Sequence, residues 1–284
     1  MRKLLLVLVS IVLGLVLIIL VVSWNAGHHF GKKVSSEVTE LFSKGSADHR
    51  QLVAGDLASL PEPVRRWITS SGAVGKELAR TTRLKQEGSM LSKPDGSWVP
   101  FEAVQYFTFD PPAFIWKADV RVAPLVRLAG RDKYEDGRGN MLIKLLSLIT
   151  LADAEGSELD QGELVRFLSE IAWTPSAALG TCITWEPIDS VSARATMNWG
   201  GVKVSGIFRF NADGDVVAFE AMRYADFGGK YSLEQWSVSL KGHRSFDGVR
   251  IPSEGEVTWK LKGGDFTWLR FTVKDLEYNN AAEY

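Results

Sequence analysis

A long uncharged segment at the N-terminus constrains this chain more than any other feature. Residues 4–22 are all Leu, Val or Ile, apart from one Ser and one Gly. As a helix this segment would be roughly 28 Å long, which matches the thickness of the bilayer hydrocarbon. A helix satisfies its own backbone hydrogen bonds, as a structure that crosses a membrane must. The segment therefore predicts contact with the lipid bilayer through residues 4–23.

The residues that flank this segment predict its orientation. Arg2 and Lys3 are the only charges before it, and basic residues favour the cytoplasmic side. Trp24 follows it, where an amphipathic ring suits the interface. A cleaved signal peptide is the alternative, but the run is longer than the usual roughly 7–15 residues and no small-x-small cleavage site follows. We expect a single-pass protein of the cell membrane, with 1–24 as cytoplasmic tip and anchor and the C-terminal domain extracytoplasmic.

Composition beyond the anchor excludes several classes of function. The net charge is −1 and no block of like charge occurs, so no nucleic-acid surface is expected. The single cysteine, Cys182, lies in an apolar run and is interpreted as a buried hydrophobe. The four histidines lack metal-ligand spacing, and no nucleophile elbow or phosphate loop occurs. We therefore expect no metal, no cofactor and no catalytic residue, and a non-enzymatic role is favoured. Protein partners are not indicated.

The order of polar, apolar and glycine-rich segments predicts a mainly β (α+β) fold. Residues 25–60 are polar and are interpreted as a juxtamembrane helical stalk, and 61–280 as a curved antiparallel β domain. The C-terminal third reads as a run of hairpins, because Gly and Asp-Gly turns separate short strands without intervening helices. We expect a transmembrane helix followed by a strongly curved antiparallel sheet or half-barrel with a two-helix insertion near 139–175. The late strands are predicted near 182–188, 191–199, 202–210, 215–224, 231–242, 249–261 and 266–278.

The predicted insertion contains two different segments. Residues 141–151 are almost wholly apolar and, as a helix, too short to span a bilayer. They are interpreted as a core helix that closes the sheet, or alternatively as a mobile lid over a hydrophobic cavity. A second helix is expected from about 158 to 173, because its apolar residues form one stripe.

A polar cluster lies on this second predicted helix, at Asp160, Glu163, Arg166 and Glu170. Paired carboxylates can serve as general acid and base, as in a hydrolase. However, Glu163–Arg166 and Arg166–Glu170 have the spacing of salt bridges along one helix face. A surface or structural role is therefore favoured over a functional one.

Aromatic and apolar residues are the second group of candidates. The chain has ten tryptophans, and such enrichment is typical of simple core filling, of a broad curved sheet or of an aromatic-lined cavity. Glu220 and Arg223 are predicted to face opposite sides of one strand. Whichever of the two points inward needs a partner. The residues interpreted as contacts for a lipid or other hydrophobic ligand are Trp98, Phe101, Tyr106, Trp116, Leu145, Leu148, Trp173, Trp185, Arg223 and Trp236.

Several short motifs are distinctive, namely Trp98–Phe101, Phe114–Ala118, Leu159–Leu164, Trp173–Pro175 and Gly248–Pro252. Together they resemble a bacterial membrane-anchored family of unknown function, and the Leu-Asp-Gln-Gly-Glu-Leu stretch is the most specific. That family has no established activity to carry over. The late hairpins are more loosely similar to the lipoprotein-carrier fold of bacterial envelopes, in which an incompletely closed curved sheet wraps around helices and holds acyl chains.

Three functions are consistent with these observations. The leading hypothesis is binding of a lipid or another hydrophobic ligand in an aromatic-lined cavity at the outer face of the membrane. The alternatives are a cell-envelope scaffold or partner-binding module with a solid core, and a hydrolase that uses the helix carboxylates. An open concave side of the sheet favours the first, and a filled one favours the second.

Overall fold

The computed structural model describes residues 2–45, 49–226 and 228–284. The chain begins with a single helix, α1 (Arg2–Ser43), in which the apolar run continues without a break into the polar segment. No proline lies between residues 2 and 43, so no position inside the helix lacks a backbone N–H donor. Among the described residues, α1 is the one helix long and apolar enough to cross a membrane.

The rest of the chain forms one antiparallel sheet of 13 strands. The strands are β1 (Thr81–Met90), β2 (Val99–Phe109), β3 (Pro112–Ala123), β4 (Val126–Glu135), β5 (Arg138–Leu145), β6 (Ile149–Ala154), β7 (Ile183–Asp189), β8 (Ser192–Trp199), β9 (Val202–Phe210), β10 (Val216–Asp226), β11 (Tyr231–Phe246), β12 (Val249–Leu261) and β13 (Gly264–Tyr278). Their order is β6-β5-β4-β3-β2-β1-β13-β12-β11-β10-β9-β8-β7, so β1 and β13 join two meanders. We call β1–β6 the first wing and β7–β13 the second wing.

The sheet curls into a half-barrel, as the sequence predicted. The curl brings the β4–β5 turn of the first wing against the β8–β9 turn of the second. A Cβ atom on Gly137 would stand 2.6 Å from the Cα of Gly200, so only glycine allows this approach. The seven strands predicted between 182 and 278 are all present as β7–β13, because turn chemistry between short alternating segments is a local property.

Helix α1 packs along the convex side of the first wing. Its buried residues Phe30, Val34, Val38 and Leu41 lie on one face, as their spacing of three or four residues requires. They contact a small core on the strands that includes Tyr106 of β2. This part of the predicted stalk therefore lies on the domain along its length.

Two further helices contact the opposite, concave side. Helix α2 (Glu62–Ser70) buries Val64, Trp67 and Ile68 in the main core, as its spacing predicts. Helix α3 (Ser157–Glu170) contacts β3, β4 and β5 of the first wing and β9 and β10 of the second. It is followed by the 3-10 turns Ile171–Trp173 and Pro175–Leu179. Helix α3 therefore bridges the two wings from inside the curl.

One element of the predicted two-helix insertion is wrong. Residues 141–151 lie in the β5–β6 hairpin and form no helix. The physical reason is that β5 is covered on both faces, with Leu142 buried against the α1 core and alternate residues turned to the concave side. A strand covered on both faces is apolar almost throughout, so its sequence lacks the alternation that marks a half-exposed strand.

Candidate functional site

The concave side of the sheet is occupied by α3 and the 3-10 turns that follow it. Leu164, Val165, Phe167 and Leu168 of α3 are at most 2% exposed. The rings of Phe107 and Phe167 lie 6.3 Å apart, so the aromatic residues of the first wing pack directly against the helix. Aromatic side chains here fill a core between helix and sheet.

A network of buried charges crosses this interface. Arg166 Nη1 donates to Asp132 Oδ2 on β4 at 2.7 Å, and Arg166 Nε donates to Glu170 Oε1 at 2.9 Å. Arg223 on β10 donates through Nη2 to Glu163 Oε1 at 3.3 Å and through Nε to the carbonyl of Gly162 at 2.9 Å. The network ties α3 to β4 on one wing and to β10 on the other.

Both guanidinium groups also lie over aromatic rings. Arg166 is 4.9 Å from the ring centroid of Phe114 and 5.0 Å from that of Trp116. Arg223 is 5.1 Å from the centroid of Trp236. The ring faces are electron-rich and attract the cations, so the tryptophans stabilise these charges as well as filling space.

Burial sets the proton affinities of this network. It raises the pKa of Glu163 to about 7, against the opposing effect of the nearby arginines. Burial also raises the pKa of Glu170. Glu163 Oε2 has no hydrogen-bond donor within the described residues, and Arg166 Nη1 lies 3.8 Å from it. Glu163 is thus the least satisfied carboxylate of the network.

Asp160 has a different position from the rest of the predicted polar cluster. Its Oδ1 accepts a hydrogen bond from the backbone N–H of Gly139 at 2.7 Å, and its Oδ2 accepts one from Arg138. It therefore holds the start of β5 against α3. The salt bridges expected along the helix are present. They are buried between α3 and the sheet, because the acidic face of α3 points inward. No property of α3 alone could have indicated this.

The residues predicted to contact a ligand do not form one site. Phe101, Trp116, Trp173 and Trp236 belong to the main core or pack against it, and Arg223 joins the charge network. The remaining five are distributed as follows: Trp185 packs against Trp67 and Phe208, Trp98 lies under Arg270, Leu145 pairs with Leu128 at the end of β5, Tyr106 contacts α1 on the convex side, and Leu148 lies in the β5–β6 turn. Their role as ligand contacts stays a prediction.

A groove lies on the convex side, between α1 and the β5–β6 hairpin, with a volume of about 450 Å³. Phe30 and Leu142 are buried at its base. Its other lining residues are Ala26, His29, Lys33, Lys144, Ser147, Leu148, Thr150 and Asp153. Of these, only Leu148 was a predicted site residue.

The groove lies beside the end of the apolar run. Ser23 Oγ donates a hydrogen bond to the backbone carbonyl of Leu146 at 2.8 Å. From there α1 runs along the first wing to Lys44, which forms an ion pair with Glu135 at the other end of β4. We call the end of the first wing that carries the β3–β4 and β5–β6 turns the proximal end.

The proximal end carries exposed apolar side chains. Leu125 is 67% exposed and has a φ of 66°, and Ile149 is 59% exposed. Val122, Leu148 and Leu151 are exposed nearby in the same two hairpins. A bulky residue with a positive φ is uncommon. Exposure of its apolar side chain to water is also unfavourable.

These features could have been found in the sequence only in part. His29 and Lys33 are four residues apart and so share a helix face, and Lys144 interrupts an apolar run. Nothing local brings these three residues together. In the part of the chain that the structure describes, no group of three or more His, Cys, Asp or Glu residues could hold a metal ion.

The architecture defines this protein as a mainly β half-barrel that carries an apolar N-terminal helix. The chain belongs to a family of unknown function, DUF6544, whose family model matches residues 50–271. This confirms the family assignment made from the sequence motifs. A comparison with curated proteins finds no match in sequence.

Three of the solved structures that are similar to this chain come from bacteria. A DUF1329 family protein from Desulfovibrio piger is 10% identical, with 82% of this chain and 96% of that chain covered at a TM-score of 0.44. A proposed outer membrane lipoprotein-sorting protein domain from Vibrio parahaemolyticus is 9% identical, with 72% and 87% covered at 0.42. A LolA superfamily protein from Nitrosomonas europaea is 8% identical, with 80% and 91% covered at 0.40.

Proposed function

We propose that this protein is a single-pass membrane protein whose β domain lies on the outer surface of the bilayer and binds lipid there. The basic residues Arg2 and Lys3 support a cytoplasmic N-terminus and an extracytoplasmic domain. The site of lipid contact is the proximal end of the first wing. It takes the place of the interior cavity that the aromatic composition predicts.

The observation that carries this proposal is the hydrogen bond between Ser23 and the carbonyl of Leu146. Ser23 follows the apolar run directly, so the β5–β6 turn lies at the level where the bilayer ends. Because α1 continues unbroken to Ser43 and packs on the sheet, the domain cannot move away from this level on a flexible linker. The contact between turn and helix therefore supports a fixed height of the domain above the membrane.

The exposed side chains of the proximal end support the same position. Leu125, Leu148 and Ile149 lie at the tips of adjacent hairpins, where water would solvate them poorly. Apolar side chains at this height enter the boundary between headgroups and acyl chains, which lowers their free energy. Contact with lipid then explains why these apolar side chains lie on the surface of the protein.

A cell-envelope scaffold is the second candidate, and the filled concave side favours it. Helix α3 occupies the space that an internal ligand would need. The hydrolase alternative has less support, because Asp160 and Glu163 are each 3% exposed and bound by arginines or backbone. A scaffold would place the domain at the membrane without inserting the proximal turns.

Depth-dependent quenching tests the proposal on the full chain reconstituted in liposomes. In a Cys182→Ser background, Leu125→Cys or Leu148→Cys carries a fluorescent label, and lipids brominated on their acyl chains act as quenchers. We expect quenching at both positions. Val53→Cys is the matched control, since Val53 is 54% exposed but hydrogen bonds of its neighbour Leu52 place it beside residues 75–76, at the other end of the sheet. Equal quenching at all three positions, or none at 125 and 148, overturns the proposal.

A further inference from the structure

We propose that the groove between α1 and the β5–β6 hairpin is a binding site for the anionic, phosphate-bearing headgroup of a membrane phospholipid. This inference rests on the proposed function and adds the class of ligand and the residues that recognise it. The groove has about 450 Å³ of space, within the size range of small-molecule pockets. Its chemistry and its height on α1 together identify the occupant.

The position of the groove along α1 supports this ligand. The groove extends along α1 from Ala26 to Lys33, which lie about 4.5 Å and about 15 Å beyond Ser23 along the helix axis at 1.5 Å per residue. Phospholipid headgroups occupy the layer directly above the hydrocarbon. The Ala26 end of the groove is therefore at headgroup height, and Lys33 can extend toward it because the side chains of a helix point toward the helix N-terminus.

The basic residues that line the groove also support this ligand. His29 and Lys33 project from one face of α1, and Lys144 faces them from β5. Within residues 2–45, 49–226 and 228–284 neither Lys33 nor Lys144 forms a salt bridge, although Lys144 Nζ donates to Thr150 Oγ1 at 3.0 Å. The one carboxylate in the lining, Asp153, accepts a hydrogen bond from Asn140. Two ammonium groups without acidic partners favour an anion between them.

The apolar part of the groove fits the rest of a lipid. Phe30 and Leu142 form the base, and Leu148 and its neighbour Ile149 continue the apolar surface toward the bilayer. Lys33 and Lys144 can bind a phosphate while the attached acyl chains descend along the apolar surface of α1. A free phosphate would use the charges and leave the apolar surface uncovered.

Competition between two lipids tests the inference. The full chain is reconstituted in nanodiscs with equal amounts of phosphatidylglycerol and phosphatidylcholine, extracted under mild conditions, and its retained lipids are counted by native mass spectrometry. We expect enrichment of phosphatidylglycerol. Lys33→Gln and Lys144→Gln should each lower the enrichment at least about fivefold, since each removes one charge-assisted hydrogen bond to the phosphate.

Lys32→Gln is the matched control, because Lys32 is exposed on α1 beside Lys33 but does not line the groove. It should retain the enrichment. Equal retention of the two lipids by the unaltered chain overturns the headgroup inference, and so does an equal effect of the three substitutions. If excess inorganic phosphate displaced phosphatidylglycerol, the groove would be a site for free phosphate rather than for a lipid headgroup. If labels at 125 and 148 are still quenched in those cases, the proposed function stands without this site.

Discussion

Arg223 of β10 and Glu163 of α3 form an ion pair inside the curled sheet, with 3.3 Å between Nη2 and Oε1. The pair joins the second wing to the helix that fills the curl. Arg166, one turn further along α3, joins the same helix to the first wing through Asp132. The two arginines therefore connect α3 to both wings, in addition to its apolar contacts with the core.

Removal of Arg223 should destabilise the fold strongly. Arg223→Met leaves Glu163 buried without this partner, and breaking a buried pair costs about 3–5 kcal/mol. Unfolding in urea, followed by tryptophan fluorescence, measures the change. The control is Arg209→Met, which breaks the more exposed pair with Glu220 and should cost less than about 1 kcal/mol. Equal costs for the two variants would mean that the Arg223–Glu163 pair does not hold α3.

Glu163 should make stability depend on pH. Its pKa in the folded state, about 7, exceeds the unfolded value of 4.5, so the folded state holds the proton more tightly. Its contribution therefore decreases as the pH rises from about 4.5 to 7, by a free energy on the order of 3 kcal/mol. The melting temperature of Glu163→Gln minus that of the unaltered chain should therefore increase between pH 5 and pH 8.

The comparison with Glu163→Gln is necessary because His243 acts in the opposite direction. Burial lowers the pKa of His243, so its contribution to stability is lost as the pH falls. Both chains contain His243, and its effect cancels in the difference. Glu186→Gln, at a side chain that is 72% exposed, should show a constant difference across the same range. A constant difference for Glu163→Gln as well would contradict the prediction.

A side chain at Gly206 should strain the second wing. A Cβ on Gly206 would lie 2.1 Å from Cζ of Phe219, which covers this position on the adjacent strand. Gly206→Ala should therefore cost about 1–3 kcal/mol in thermal unfolding, because the packed ring must move. Gly263→Ala is the control, since its Cβ would meet no atom of the described residues within 4 Å beyond its chain neighbours. Restoration of stability by adding Phe219→Leu would identify the ring as the cause.

The docked half of α1 should stabilise the domain. Leu41 is 1% exposed and packs against the convex side of the first wing. Leu41→Ala should cost about 2–5 kcal/mol and speed hydrogen exchange in residues 34–43, because the helix loses its contact with the sheet. Leu17→Ala changes the same residue type in the apolar run and should leave exchange in that segment unaltered. A free stalk would show rapid exchange there in every variant.

Local patterns predicted much of the fold. The apolar run and the Gly and Asp-Gly turns need no knowledge of distant residues, and α1 and the strands β7–β13 correspond to them closely. The stripe from Leu164 to Leu168 likewise predicted α3. The sequence predicts a helix where the β5–β6 hairpin lies, because α1 covers the outer face of β5 and that contact joins residues more than 100 positions apart.

The sequence by itself determined an apolar N-terminal helix, a mainly β domain and the salt-bridge spacing of Glu163, Arg166 and Glu170. Tertiary structure alone decided that these charges lie inside the curl, that Arg223 pairs with Glu163, and that Lys33 and Lys144 face each other across a groove. The reason is that a local pattern sets which face of an element is apolar or charged, whereas the curl of the sheet sets which faces meet. Here the curl turns the acidic face of α3 inward, and the docking of α1 brings a lysine from each element to the proximal end.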